Sequence, residues 1–172
     1  MNREGYLDIT SIDYSSVCIE RLLQLVPKHK CGTMKYMVAD ITNLSPADFP
    51  NASFAVVVDK GTVDSILCGG SFQGIPDALS EVSRVLRPNG VFICVTYGSP
   101  CVRLRHLEND DYHWSVQVYT IEKMKMGDMT ATSCNSMRVV WGGPFSCTAE
   151  LRALDTADSN FVYVCKKYKE PG

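Results

Sequence analysis

The chain has 172 residues, 45% of them hydrophobic and 21% charged, with a net charge of −2 at neutral pH. That is the size and composition of a globular domain able to bury its own apolar core. No Lys/Arg block stands out, which argues against an electrostatic nucleic-acid or bilayer partner. No apolar run reaches the roughly 18 residues of a membrane span, and "MNREGYLDIT" lacks the apolar core of a signal peptide. The eight cysteines contain no C-x-x-C pair and no Cys/His cluster with zinc spacing. Free thiols in a cytoplasmic protein are the expectation.

In chain order, "ITSID" (9–13) reads as a short strand closed by a carboxylate. "SSVCIERLLQLV" then carries Val17, Leu22, Leu23 and Val26 near helical spacing, with Ser15 or Ser16 available as N-cap. "MKYMV" (34–38) is a second strand, closed by Asp40, and "ITNLSPADFPNAS" has turn chemistry. "FAVVV" (54–58) is a continuous apolar run ending at Asp59, which suits a strand covered on both faces. A glycine-rich loop or short helix, "KGTVDSILCGGSFQG", follows. Ile75, Ala78, Leu79, Val82 and Leu86 keep a 3.6-residue period and predict an amphipathic helix, which "RPNG" stops. "VFICVT" (91–96) is another apolar strand. The alternation predicts a mostly parallel sheet with right-handed crossovers. "WSVQVYTI" (114–121) and "FVYVCKK" (161–167) predict an antiparallel pair at the sheet edge, joined by an inserted loop over about 122–160.

Asp13, Asp40 and Asp59 each close a strand, and ligands of open α/β sheets bind outside the carboxyl ends of strands. Asp13 suits a ribose, because a carboxylate accepts from both sugar hydroxyls. Asp40 suits the exocyclic amine of a purine. Asp59 and the "KGT" after it would face the reacting end of the ligand. Against these readings, Lys60 is also placed to pair with Asp59 or Asp64, and Tyr14 to pack at a helix start. His106, His113, Trp114 and Cys101 read as surface, packing or loop residues rather than catalytic groups.

"DITSIDYSSVCIERL", "FAVVVDKGTVDSIL", "ALSEVSRVLRPNGVFICVTYG" and "DYHWSVQVYTIEK" together resemble a class I S-adenosylmethionine-dependent methyltransferase, in the methyltransferase-like group that includes elongation factor 1A lysine methyltransferases. The ending "DSNFVYVCKK" resembles that group too, whereas 123–157 departs from its pattern. The resemblance implies one α/β domain over residues 1–172 with a Rossmann-like, seven-stranded sheet whose last strand is antiparallel. It implies S-adenosyl-L-methionine as cofactor, with Asp13 on the ribose, Tyr14 on the adenine, Asp40 and Ile41 at the adenine edge, and Lys60 near the methyl-donor end. Asp59 and Thr62 would line the acceptor pocket, and the substrate would be a protein lysine, a translation factor among the candidates. A non-catalytic, partner-binding methyltransferase-like module is the alternative. An NAD-dependent oxidoreductase shares the topology, but no glycine fingerprint is present.

The acid that holds the ribose follows the glycine loop by roughly 20 residues in such sheets, and that count from Asp13 falls before residue 1. The sheet is therefore expected to lack the first strand and its glycine loop. In the family that strand lies between those ending in Asp13 and Asp59, so these two would stand unpaired or be forced together. Several lost hydrogen bonds, at about 1 kcal/mol each, would weaken cofactor binding by about one to three orders of magnitude.

Overall fold

A computed structural model describes residues 6, 8–25, 34–70, 73–122, 138–142 and 159–168. Most of the expected insertion, 122–160, lies outside them.

The N-terminal unit is β1 (Thr10–Asp13), α1 (Ser16–Leu25) and β2 (Lys35–Val38). Ser15 caps α1 as the sequence allowed, its Oγ accepting from Cys18 N at 3.3 Å. β1 and β2 pair in parallel with Asp13 opposite Val38. Then come β3 (Phe54–Lys60), α2 (Thr62–Cys68), α3 (Gly74–Val85), β4 (Leu86–Thr96), α4 (Pro100–Leu107), β5 (Trp114–Glu122), β6 (Arg138–Gly142) and β7 (Ser159–Lys167).

The seven strands among the described residues form two sheets, β1-β2 and β3-β4-β7-β5-β6. β3 and β4 are parallel, while β7 runs antiparallel to both β4 and β5. The mixed sheet with an antiparallel late strand is the expected one, with two differences. The last strand is not at the edge: β7 inserts between β4 and β5, and β6, within the expected loop, takes the outer position beside β5. The strands ending near Asp13 and Asp59 also stay in separate sheets. A shared apolar cluster bridges them, with Leu44, Phe49 and Val85 buried and Ile12, Met37, Phe54 and Val57 packed against it.

"RPNG" does not end the ladder. Phe54 pairs with Leu86 and Val56 with Val91, so the extra residues on β4 bulge out, with Asn89 at φ 63°. The sequence reading missed α4, although Ser99 and Pro100 are a helix-start signal and Leu104 and Leu107 form its buried stripe. Arg84 ties the 44–51 loop to α3. It bonds Glu81 Oε2 at 2.6 Å, Phe49 O at 2.8 Å and Asn51 Oδ1 at 2.9 Å.

Even-numbered β4 residues face α3 and α4, and this is where the main core sits. Phe92, Cys94, Tyr163, Cys165, Val116 and Val118 meet Ile75, Leu79, Leu104 and Leu107 there. Phe92 stacks on Trp114 at 5.7 Å, and the Trp114 indole donates to Leu107 O at 2.8 Å. Trp114 is thus a core residue, one of the roles expected of it.

Candidate active site

Asp13 closes β1, and its Oδ1 accepts from Ser15 N at 2.8 Å. That turn leaves Tyr14 82% exposed beside it, a ring with an open face. The Asp13 carboxylate, with burial, also pushes the Cys18 thiol up. On the neighbouring strand end, Asp40 Oδ1 accepts from Thr42 N at 2.9 Å and Thr42 Oγ1 at 2.8 Å. Its Oδ2 has no protein partner among the described residues. Ala39 N donates to Asp13 O at 3.0 Å, which holds the two strand ends side by side. Ile41 is half-buried and packs against both apolar clusters, so it fixes the path of the chain after Asp40.

At the end of β3 the chain turns into α2 through Gly61, whose φ of 88° is left-handed and suits glycine. Asp59 serves this turn. Its Oδ1 accepts from Thr62 N at 2.9 Å, and its Oδ2 from Val63 N at 3.4 Å and Cys94 Sγ at 3.5 Å. Both oxygens of Asp59 are therefore engaged in starting α2. Thr62 is exposed, and its backbone N–H is held by Asp59. Burial, then the Asp59 charge, pushes the Cys94 thiol up.

A cleft of about 140 Å³ opens at the ends of β3 and β4, lined by Lys60, Gly61, Asp64, Thr96, Tyr97 and Asn160 among others. Lys60 thus lines the cleft. Asp59 and Thr62 stand at its edge without lining it, and Asp13 and Asp40 belong to the adjacent strand ends. Sequence reasoning passed over Asp64, Thr96 and Tyr97. The signal was available: "VFICVTYG" is an apolar strand followed by polar residues, the same pattern that marked Asp13, Asp40 and Asp59. Neither His106 nor His113 lines this cleft. Burial, aided by Arg103 and Arg105, lowers the His106 pKa. Among the described residues no group of three or more His, Cys, Asp or Glu side chains could hold a metal.

The donor set suits a nucleoside. Two carboxylates on adjacent strand ends are acceptors for hydroxyl and amine donors, and an exposed aromatic ring stands beside them. The chain matches a family model described as "Methyltransferase domain" over residues 1–94, more than half its length. It is 37% identical over 122 residues to mouse EEF1A lysine methyltransferase 4, covering 66% of this chain and 46% of that protein. It is 34% identical over 125 residues to the human mitochondrial citrate synthase-lysine N-methyltransferase, covering 65% and 50%. The chain thus spans about half the length of these relatives. In fold it is similar to the N-methyltransferase NodS from Bradyrhizobium japonicum in complex with S-adenosyl-L-homocysteine. The TM-score is 0.55 at 12% identity, over 93% of this chain and 66% of that one. The family's cofactor is S-adenosyl-L-methionine, and the Asp13, Tyr14 and Asp40 set fits its adenosine half. By the family match, this chain belongs to the class I S-adenosylmethionine-dependent methyltransferases.

Proposed function

We propose that the chain carries out methyl transfer from S-adenosyl-L-methionine to a lysine side chain of a protein, with a translation factor as the favoured substrate and the cytoplasm as the setting. The observation that carries this reading is the row of strand-end groups: Asp13 and Asp40 on adjacent parallel strands, then the cleft at Lys60, Thr96 and Tyr97. Bound there, the cofactor supplies an activated methyl group on a sulfonium. Asp13 would accept from the ribose hydroxyls, Tyr14 would pack on the adenine, Asp40 would accept from its amine, and Ile41 would close the edge. Lys60 stands toward the donor end, and Asp59 and Thr62 shape the acceptor side by fixing the start of α2. These residues would have to bring the acceptor amine in with its lone pair free and let its proton leave to solvent. Positioning is the main source of rate in such a displacement.

Both named relatives are lysine methyltransferases of proteins, which supports the substrate class. The decisive experiment incubates the chain with tritium-labelled S-adenosyl-L-methionine and elongation factor 1A. Label in the factor that D13A abolishes supports the reading, and no label with any protein fraction overturns it.

A second reading, a methyltransferase-like module that binds a partner, is favoured by the apolar face of β3, where Val56 and Val58 are 45% and 46% exposed. Partner binding without transfer distinguishes it.

A further inference from the structure

Arg103 of α4 is 3% exposed, a charge taken almost wholly out of water. It reaches Asp64 of α2 through Nη2, and the same nitrogen lies 3.1 Å from Thr96 Oγ1 at the end of β4. The Thr96 hydroxyl donates to Asp64 Oδ1 and accepts from Gly98 N at 2.9 Å. Its one proton and both lone pairs are thereby used. Among the described residues, Asp64 Oδ2 and Arg103 Nε and Nη1 have no partner. The guanidinium lies against Gly98: a Cβ there would come within 2.6 Å of Nε and 2.7 Å of Cζ, so a side chain at this position would push the guanidinium aside. From the other side, Tyr163 OH donates to Gly98 O at 2.7 Å.

A buried ion pair with unmet hydrogen-bonding groups is a poor device for stability, since apolar side chains fill such space as well or better. What this one does is hold one oxygen of a carboxylate at a cleft wall. Asp64 and Thr96 line the cleft with Lys60 and Tyr97. Asp64 Oδ2 is buried, so a donor arriving in the cleft reaches it only if the carboxylate turns about its soft final torsion while Oδ1 stays held by Thr96 and Arg103.

We propose that Asp64 is the carboxylate that receives the acceptor amine, and that Arg103 is a positioning residue which, with Thr96 and Gly98, holds it there. The inference rests on the methyl-transfer reading and deepens it. Asp64 Oδ1 already accepts two hydrogen bonds, so the work left to the group is to accept one N–H of the incoming amine at Oδ2 and aim the lone pair. Lys60, on the same cleft, disfavours a second positive charge and so favours the neutral, nucleophilic amine. The exposed ring of Tyr97 offers a wall for the aliphatic stem of a lysine. The amino-acid end of the cofactor also carries an ammonium, and the experiment separates the two sources.

The chain, labelled with ¹³C at aspartate carboxyls, is titrated with N-acetyl-lysine methylamide, with the norleucine analogue that lacks the amine, and with S-adenosylhomocysteine, while the Asp64 carboxyl is followed by NMR. A saturable shift with the lysine probe and none with norleucine supports the proposal. R103K should then weaken the lysine probe about tenfold. A shift with S-adenosylhomocysteine but not with the lysine probe overturns it by assigning Asp64 to the cofactor. No shift with either overturns it by making the pair purely structural. If the lysine probe binds through Asp64 and no protein is ever methylated, the methyl-transfer reading fails while the amine site stands. Transfer that survives D64N with unchanged KM removes Asp64 alone.

Discussion

The two faces of the five-stranded sheet are built from the same kinds of side chain and have different fates. On one face Phe92, Cys94, Tyr163 and Cys165 are at most 1% exposed, because α3 and α4 pack over them. On the other, the register aligns Val56 with Val91 and Val58 with Ile93, then Ile93 with Val164 and Val95 with Val162. That aliphatic ladder fades into Ser115 and Gln117 on β5. Val56 and Val58 remain nearly half exposed, while α1 packs on β1 and β2 instead. An apolar strand residue therefore contributes according to what lies across from it, and β propensity alone does not set its worth.

The sharpest way to break this contrast is to hollow out the covered face. F92A removes a ring stacked on Trp114 and should cost about 3–5 kcal/mol, read as a lower denaturation midpoint with an unchanged slope. A loss below about 1 kcal/mol would mean that the covered face is not the core.

Next comes the clasp on the outer side of α3. R84A leaves the Phe49 carbonyl without its donor and Glu81 with only the Leu44 N–H, and should cost about 1–3 kcal/mol. Arg84 holds the Glu81 carboxyl below its usual value of 4.5. That stability is present at neutral pH and is lost as pH falls below the usual carboxylate range, through the lowered native value. In R84A this acid-side loss should shrink, measured by urea titrations across about pH 3–7.

Glu108, after α4, gives the opposite slope. Burial raises its pKa from 4.5 to about 7. Between these values the unfolded chain loses the proton and the folded one keeps it, so folding becomes less favourable as pH rises through the window, and the loss is complete above about 7. E108Q should remove that slope and raise Tm at pH 8 while changing little at pH 4, about half a unit below the unfolded value.

The smallest effect should come from the bare face. V58T should change stability by less than about 0.5 kcal/mol. A cost several times larger would show that something covers this face, and V58T would then become a probe of the partner-binding reading.

Several features were legible in the sequence for local reasons. Apolar runs at 54–58 and 91–96 mark strands because nothing else buries so many consecutive side chains. The 3.6-residue period from Ile75 to Val82 marks α3, and an acid after each early strand marks the ligand end of the sheet. Ser15, Pro100 and Gly61 are short-range signals of the same kind, although the Pro100 signal went unused.

Tertiary structure decided the rest, because the deciding contacts join distant residues. β7 slips between β4 and β5 through pairings some 70 residues apart, such as Cys94 with Tyr163, which no local pattern encodes. Asp59 and Asp64 are near-identical acids in one short string. The first is spent on the N–H groups that start α2, while the second reaches the cleft wall because Arg103, brought over on α4, and Thr96, at the end of β4, meet it there. The chain itself determined which residues carry charge at the strand ends. Only packing across the sheet decided which of those charges is anchored at the cleft.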